Sequence, residues 1–470
     1  MPRLKLPSTL FPEPPPPPDD RTDVLVLGGG MAGLCAAIAA RRAGARVILA
    51  EQAPRWRRGG NARHARNIRV PHDAPTALSP GRYPEAVLRQ DLERVSGGTG
   101  DPILIDVLAN HAGDLPAWLA QQGVLFQSPD DGVLPWSRKT VFLLGGGTAM
   151  MNALYDTAER LGVHVLYEAE GVALDLNGAA RLRHRGRVFD VDSRATILAT
   201  GGYQANRAWL RETWGRSAEG LVVRGTPFAR GILMRALIEQ GAQESGEPGG
   251  GHLVAVDARS PEADGGIVTR IDGLHLGLAV NQAGRRFFDE GEDTGSTRYG
   301  TWGRQVAGCA GQRAFVILDA RGKAALLPLP VFPPLEAPSL PALAQVLGLD
   351  PETLVDTVTG YNRALTEGHG TRWRRLNPPR TPPAACIEVP PFHALPFAPG
   401  ITFTGHGLYV DERARVLRRD GFSCPTLYAA GMTMGPALLG SGYVSGVSLT
   451  LAAVFGRIAG WEAASHVRVF

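Results

Sequence analysis

The sequence predicts an α/β protein built on a Rossmann-like, dinucleotide-binding sheet, with a second domain inserted into it. Three observations carry this. A short apolar strand, Asp23 to Leu27, runs into the turn Gly28-Gly29-Gly30-Met31-Ala32-Gly33, and an Ala-rich helix follows, Leu34 to Arg42. The next strand, Arg46 to Ala50, ends on an acid, Glu51, eighteen residues past Gly33. Two further apolar strands end in glycine, Ala195 to Gly202 and Pro425 to Gly431, and Pro-rich runs lie between them.

Each part of the first unit has a physical role. Gly28 allows the tight turn, Gly30 lets the backbone approach a pyrophosphate, and Gly33 lets helix and strand pack closely. The helix N-terminus offers N–H groups and a partial positive charge to phosphates. Glu51 can accept hydrogen bonds from ribose hydroxyls. With 59 glycines in 470 residues, the G-x-G-x-x-G turn alone says little. The whole βαβ unit with its acid says much more.

The remaining elements follow in order. Residues 11–20, FPEPPPPPDD, predict an extended polyproline arm, so residues 1–20 are set apart. A polar, Arg-rich loop spans Arg55 to Asp73. Tyr83 to Val95 and Leu104 to Gln122 read as helices, the second with Trp118 and Leu119 on its apolar face. Gly145-Gly146-Gly147 precedes a helix, Thr148 to Leu161, and a strand, His164 to Glu168. Leu327 to Pro341 and Pro378 to Pro399 read as irregular connections. Gly440-Ser441-Gly442 then opens a long apolar helix, Tyr443 to Ala459, whose positive end could face the pyrimidine edge of a flavin.

Composition narrows the function. Net charge is only +4, without the footprint of a nucleic-acid binder. All basic residues but Lys5, Lys139 and Lys323 are arginines, so an Arg beside a motif is weak evidence by itself. Cys35, Cys309, Cys386 and Cys424 form no C-x-x-C or Cys/His cluster, so no metal or iron–sulfur site is expected. The N-terminus lacks a signal-peptide core and no apolar run matches a membrane span, so a cytoplasmic protein without membrane insertion is expected.

Together these landmarks resemble the FAD-dependent fumarate reductase and succinate dehydrogenase flavoprotein superfamily. The residues carrying the likeness are VLVLGGGMAGL (24–34) with Glu51, GGN (59–61), ATILATGGYQAN (195–206) and LYAAG (427–431). Within it the chain is most similar to tricarballylate dehydrogenase and the related flavoprotein of cobalamin biosynthesis. That likeness rests on GGNARHARNIRVPHDAP (59–75), GGGTAMMNALYDTAERLGV (145–163), GTPFARG (225–231) and VAVDARSPEADGGIVTRID (254–272). GRRFFDEGED (284–293), RYGTWGR (298–304) and PGITFTG (399–405) add to it. The resemblance implies an FAD-binding domain in two parts, 21–250 and 400–470, with an α+β capping domain at 251–399.

It also implies site residues. Cofactor contacts would be Gly28, Gly30, Ala32, Gly33 and Glu51, then Gly59, Gly60 and Asn61, then Gly171 and Val172. Ala199, Thr200, Gly201, Gly431, Met432, Gly442, Tyr443 and Val444 complete that set. Substrate contacts would be Arg63, Arg66, Arg138, Thr404 and Gly442, with Arg69, His72 and Arg304 as further cationic candidates. Asn61 stands where the succinate dehydrogenase branch attaches FAD to a His, which implies non-covalent FAD. Phe403 and Leu438 replace a His and an Arg that clamp C4 dicarboxylates in the fumarate reductases, and Met432 replaces the superfamily's Glu.

The implied reaction is oxidation of a C–C bond beside a carboxylate, tricarballylate to cis-aconitate in type. Hydride goes to the flavin and the proton to Arg298, in the loop after Asn281–Phe287, or else Arg298 only binds a carboxylate. His252 lies at the cap junction, and Glu290 and Asp293 could relay protons; an interior structural His and a solvated acidic loop are the plainer readings, and His406 carries the same caution. A separate iron–sulfur protein is implied as electron acceptor. Alternative readings are a flavoprotein acting on a tetrapyrrole, as precorrin-3B synthase does, a ketosteroid dehydrogenase, and a non-enzymatic FAD-binding module.

Overall fold

The computed structural model describes residues 21–128, 139–292, 298–329, 331–366, 376–382 and 384–469. The expected N-terminal arm, Arg138 and Asp293 lie outside them.

Among the described residues, an eight-stranded sheet forms the first layer. Its main order is Arg415–Leu417, Ser423–Ala429, Arg187–Leu198, Arg21–Leu27, Val47–Glu51, His164–Tyr167. All these neighbours are parallel except the first pair. The strand at Arg21–Leu27 is central: Val24 pairs with Val47 on one side and Ala195 on the other. Apolar side chains therefore face helices on both sides, which explains its near-continuous apolar run. Ala169–Leu174 and Ala180–His184 extend Arg187–Leu198 as an antiparallel meander.

The first helix, Met31–Arg42, packs on the last, Val447–Val469. The approach is close because glycine permits it. A Cβ on Gly456 would lie 2.4 Å from Ala32 O, and one on Gly460 2.2 Å from Ala36 O. Val447, Leu451, Val454 and Phe455 of the last helix are buried in the main core. Burying such side chains stabilises by about 1.5–3 kcal/mol each.

The second layer is a six-stranded sheet, ordered Glu244–Asp257, Phe392–Leu408, Ala314–Leu318, Leu278–Asn281, with Leu335–Ala337 and Val222–Val223 also pairing with Phe392–Leu408. It carries separate small cores, one around Trp302, which packs edge-on against Phe288 and Phe397. The expected junctions at 250/251 and 399/400 fall inside its two longest strands.

Three local expectations are corrected. The helix expected over 104–122 is two, Pro102–Ala112 and Leu115–Ala120, because Pro116 has no N–H to continue the first. Asp101 caps the first of them through a hydrogen bond from Leu104 N at 2.8 Å. The run to Pro399 is not irregular throughout, since Phe392–Leu408 is one long strand. Pro396 is tolerated there because its carbonyl accepts from Ala258 N just past the end of the ladder that pairs Asp257 with Phe397, where no N–H is required. The last helix begins at Val447, four residues later than expected, and Gly446 at φ 83° precedes it in place of Gly442.

Candidate functional site

A cleft with a volume of about 250 Å³ runs from the Gly28–Ala32 turn to the junction between the two sheets. At its first end the wall is mostly backbone. Gly28 and Gly33 are demanded by the protein itself: a Cβ on Gly28 would sit 2.6 Å from Ala199 O, and one on Gly33 1.8 Å from Gly28 O. Gly30 differs. Among the described residues a Cβ there would meet only Gly59 O, at 4.0 Å, and would project into the cleft. Its glycine is explained by what the cleft holds, not by packing. The helix behind it, Met31–Arg42, has no side-chain cap. Its first-turn N–H groups suit an anion such as a pyrophosphate.

Glu51 lines the same end and is buried. Its Oε2 accepts from Gly29 N at 3.0 Å and its Oε1 from Ala53 N at 2.7 Å. Burial raises its pKa, and these backbone donors only partly oppose the rise. The Tyr155 hydroxyl donates to Gly29 O at 2.8 Å and braces the turn from below. Two buried polar atoms on cleft residues, Thr200 Oγ1 and Gln204 Oε1, have no hydrogen-bond partner among the described residues. A polar ligand completes such groups, so the residues present fit a dinucleotide.

The other end is built from long side chains. His252 is buried, and its ring lies 4.2 Å from that of Tyr443 and 5.4 Å from that of Phe403. Burial, then the charges of Arg224, Arg304 and Arg270, hold its pKa well below the ordinary value, so it is neutral at physiological pH. Arg224 Nη1 donates to Thr402 Oγ1 at 2.9 Å. Arg270 Nη2 lies 2.5 Å from Asp272 Oδ2. Ser445, Gly446 and Ser448, at the start of the last helix, line this end too. Asn61 ties the layers together: its Nδ2 donates to Thr402 O at 2.6 Å and its Oδ1 accepts from Thr226 N at 2.9 Å.

A family model described as an FAD binding domain matches residues 23–449. The chain belongs to that family. FAD is therefore the dinucleotide this cleft takes. The flavoprotein is 26% identical over 469 residues to fumarate reductase (cytochrome) from Shewanella frigidimarina, spanning 94% of this chain and 77% of that protein. It is also 26% identical to NADH:fumarate oxidoreductase from Klebsiella pneumoniae, covering 95% of this chain but 48% of that longer protein. Its fold matches the open conformation of a flavocytochrome c3 fumarate reductase with a TM-score of 0.79 at 23% identity, over 96% of this chain and 79% of that one.

Most of the residues singled out by sequence reach the flavoprotein's cleft. Gly28, Gly30, Ala32, Glu51, Gly60, Asn61, Gly171, Ala199, Thr200, Gly201, Gly431, Met432 and Tyr443 line it, as do Arg66 and His252. Others stand behind the wall. Gly33 packs on Gly28, Gly59 on Met151, and Gly442 on Val95, where a Cβ would be 1.8 Å from the carbonyl oxygen. Val444 belongs to the core, and Val172 lies on the meander strand behind Gly171. Thr404 is buried and its Oγ1 accepts from Tyr203 N at 3.3 Å. Phe403 lines the cleft and Leu438 is fully buried.

Several charged candidates are held elsewhere. Arg63 pairs with Asp264 at 2.5 Å, which also binds Arg57 and His64. Burial pushes Asp264 up, but hydrogen bonds from His64 and Arg57 outweigh it and leave its pKa lowered. Arg69 is buried against Asp91 at 3.0 Å and Tyr83. His72 contacts Val70 O, Arg304 donates to Ser441 O, and His406 pairs with Glu244 at 2.8 Å. Glu290, fully buried, does not line the cleft; it accepts from Ala279 N and pairs with Arg286 at 2.6 Å. Arg298 opens a helix, Arg298–Ala307, and its side chain lies outside the described residues.

Sequence reasoning missed Arg224, Arg270, Gln204 and Gly446. Arg270 stood inside a quoted motif and Arg224 just before another. Only the fold shows that they meet.

Proposed function

We propose that this flavoprotein is an FAD-dependent dehydrogenase that desaturates a polycarboxylate, tricarballylate to cis-aconitate in type. The observation that carries the reading is one continuous cleft joining the Gly30 cradle to a cationic, His252-bearing end. The relatives named above act on fumarate, a related unsaturated carboxylate, by their printed names. Bound FAD supplies a two-electron acceptor for the hydride leaving the substrate carbon.

The chain's residues do the rest. Arginines orient the carboxylates, because a planar guanidinium fork matches a carboxylate better than an ammonium does. Arg298, held as the neutral guanidine, would take the proton from the neighbouring carbon and become the guanidinium. His252, neutral and clasped by Tyr443 and Phe403, fixes the substrate by hydrogen bonding and is not a cation itself. Phe403 and Leu438 remove two polar clamps and favour a substrate other than succinate or fumarate. Asn61, with both ends of its amide engaged, offers no nucleophile to the flavin, which supports non-covalent FAD. Electrons leave to a separate iron–sulfur protein in the cytoplasm.

The test is anaerobic addition of tricarballylate to the yellow holoprotein. Bleaching of the flavin absorbance is expected. A stable yellow spectrum at saturating tricarballylate would remove the proposal.

A further inference from the structure

Tyr443 stands just ahead of the last helix and lines the cleft. Its ring lies against two residues of the second sheet. His252, on the strand Glu244–Asp257, is 4.2 Å away, and Phe403, on Phe392–Leu408, is 5.5 Å away and edge-on. The start of the last helix and the second sheet therefore meet at this phenol.

The Tyr443 oxygen accepts a hydrogen bond from Gly446 N at 3.1 Å. Gly446 precedes the helix at φ 83°, so its N–H is not part of the helix's own ladder. That bond accounts for one side of the hydroxyl. The O–H itself finds no acceptor among the described residues. Ring packing alone would be served equally by phenylalanine, whereas a tyrosine enclosed by other rings normally gives its O–H a partner. A hydroxyl that accepts from a backbone donor is a stronger donor in turn, and the apolar rings of its surroundings strengthen the bond it makes.

Resting on the polycarboxylate reading above, we propose that the Tyr443 hydroxyl is a substrate ligand, donating a hydrogen bond to one carboxylate oxygen at the His252 end of the cleft. With Gly446 N already on its oxygen, the phenol offers the cleft a donor, and an ionised carboxylate offers only acceptors. The hydroxyl adds no charge beside His252. Tyr443, expected among the cofactor contacts, thus serves the substrate.

The probe is cis-aconitate, which binds oxidised holoenzyme without reducing it. Binding is read from the perturbed flavin spectrum. Tyr443→Phe keeps the ring and removes the O–H. It should weaken cis-aconitate binding by about 10-fold or more, as for loss of a hydrogen bond to a charged group. FAD affinity, read by flavin fluorescence as apoprotein is reloaded, should stay within about twofold of wild type. Should Y443F fail to fold, a difluorinated tyrosine in place of Tyr443 carries the test. It keeps the shape with a more acidic phenol, and cis-aconitate should be lost at a lower pH than from wild type. Unchanged cis-aconitate affinity in Y443F overturns the assignment while the function stands, and so does an unshifted pH limit in the fluorinated protein. Weaker FAD binding with cis-aconitate affinity unchanged at saturating FAD gives the hydroxyl to the cofactor and overturns it too. If wild-type holoenzyme binds no cis-aconitate and tricarballylate leaves it yellow, the function falls and this inference with it.

Discussion

The two ends of the cleft are made of different material. The nucleotide end is backbone: three glycines, a helix N-terminus and one acid within thirty residues of chain. The other end is side chain: Arg224, His252, Arg270, Phe403 and Tyr443, drawn from segments as much as two hundred residues and more apart. A backbone site needs only local turns, so one short stretch specifies it. A side-chain site exists only after both sheets have assembled.

Contrasting variants within the first end test this most strongly. Gly30→Val should cut FAD affinity by on the order of 100-fold, since a side chain displaces the pyrophosphate from its N–H donors. The apo protein should melt as wild type does, because Gly30 faces open space. Gly33→Val should instead destabilise the apo fold by about 3 kcal/mol or more, an overpacking effect readable by urea titration. Equal melting losses in both would erase the distinction between a ligand glycine and a packing glycine.

Glu290 and Glu51 are both buried acids with different duties. Glu290→Gln should lower stability by about 3 kcal/mol, because it leaves Arg286 and Arg380 without their buried anion. FAD content and flavin reduction by substrate should persist in the folded fraction. A variant of full stability that no longer bleached would make Glu290 a proton relay instead of a brace in the cap.

His252 gives a smaller, pH-dependent effect. Its folded pKa lies well below the ordinary 6.5. The unfolded chain therefore binds the proton first, and stability is fully present above about pH 6.5 and lost as pH falls toward the folded value. His252→Gln should flatten the acid limb of a stability profile by up to about 1.4 kcal/mol per pH unit. A profile identical to wild type would mean that His252 protonates freely.

The smallest change is Tyr155→Phe. Losing the donor to Gly29 O should lower the melting free energy by about 1 kcal/mol and leave FAD bound. Complete loss of FAD would mean that the backbone turn cannot hold its shape without this hydroxyl.

The same contrast explains what could be read from sequence. The βαβ unit, the parallel sheet and the Gly30 cradle follow from spacing alone, because period, turn and acid are local. The start of the last helix is not legible in the sequence, since Gly440, Gly442 and Gly446 all suit a turn and each is fixed by packing: a Cβ on Gly442 meets Val95 O and one on Gly446 meets Arg69 N. The strand through Pro396 and Pro399 was hidden because proline argues against strand unless the ladder's end is known. Arg224 and Arg270 were indistinguishable from dozens of other arginines until the two layers placed them beside His252.

The most direct measurement is a structure of the holoprotein grown with cis-aconitate. The account expects FAD stretched along the cleft with its pyrophosphate over Gly30, and the ligand beside His252 and Tyr443. Ligand bound away from the His252–Tyr443 end, or a flavin that does not reach it, would contradict the account.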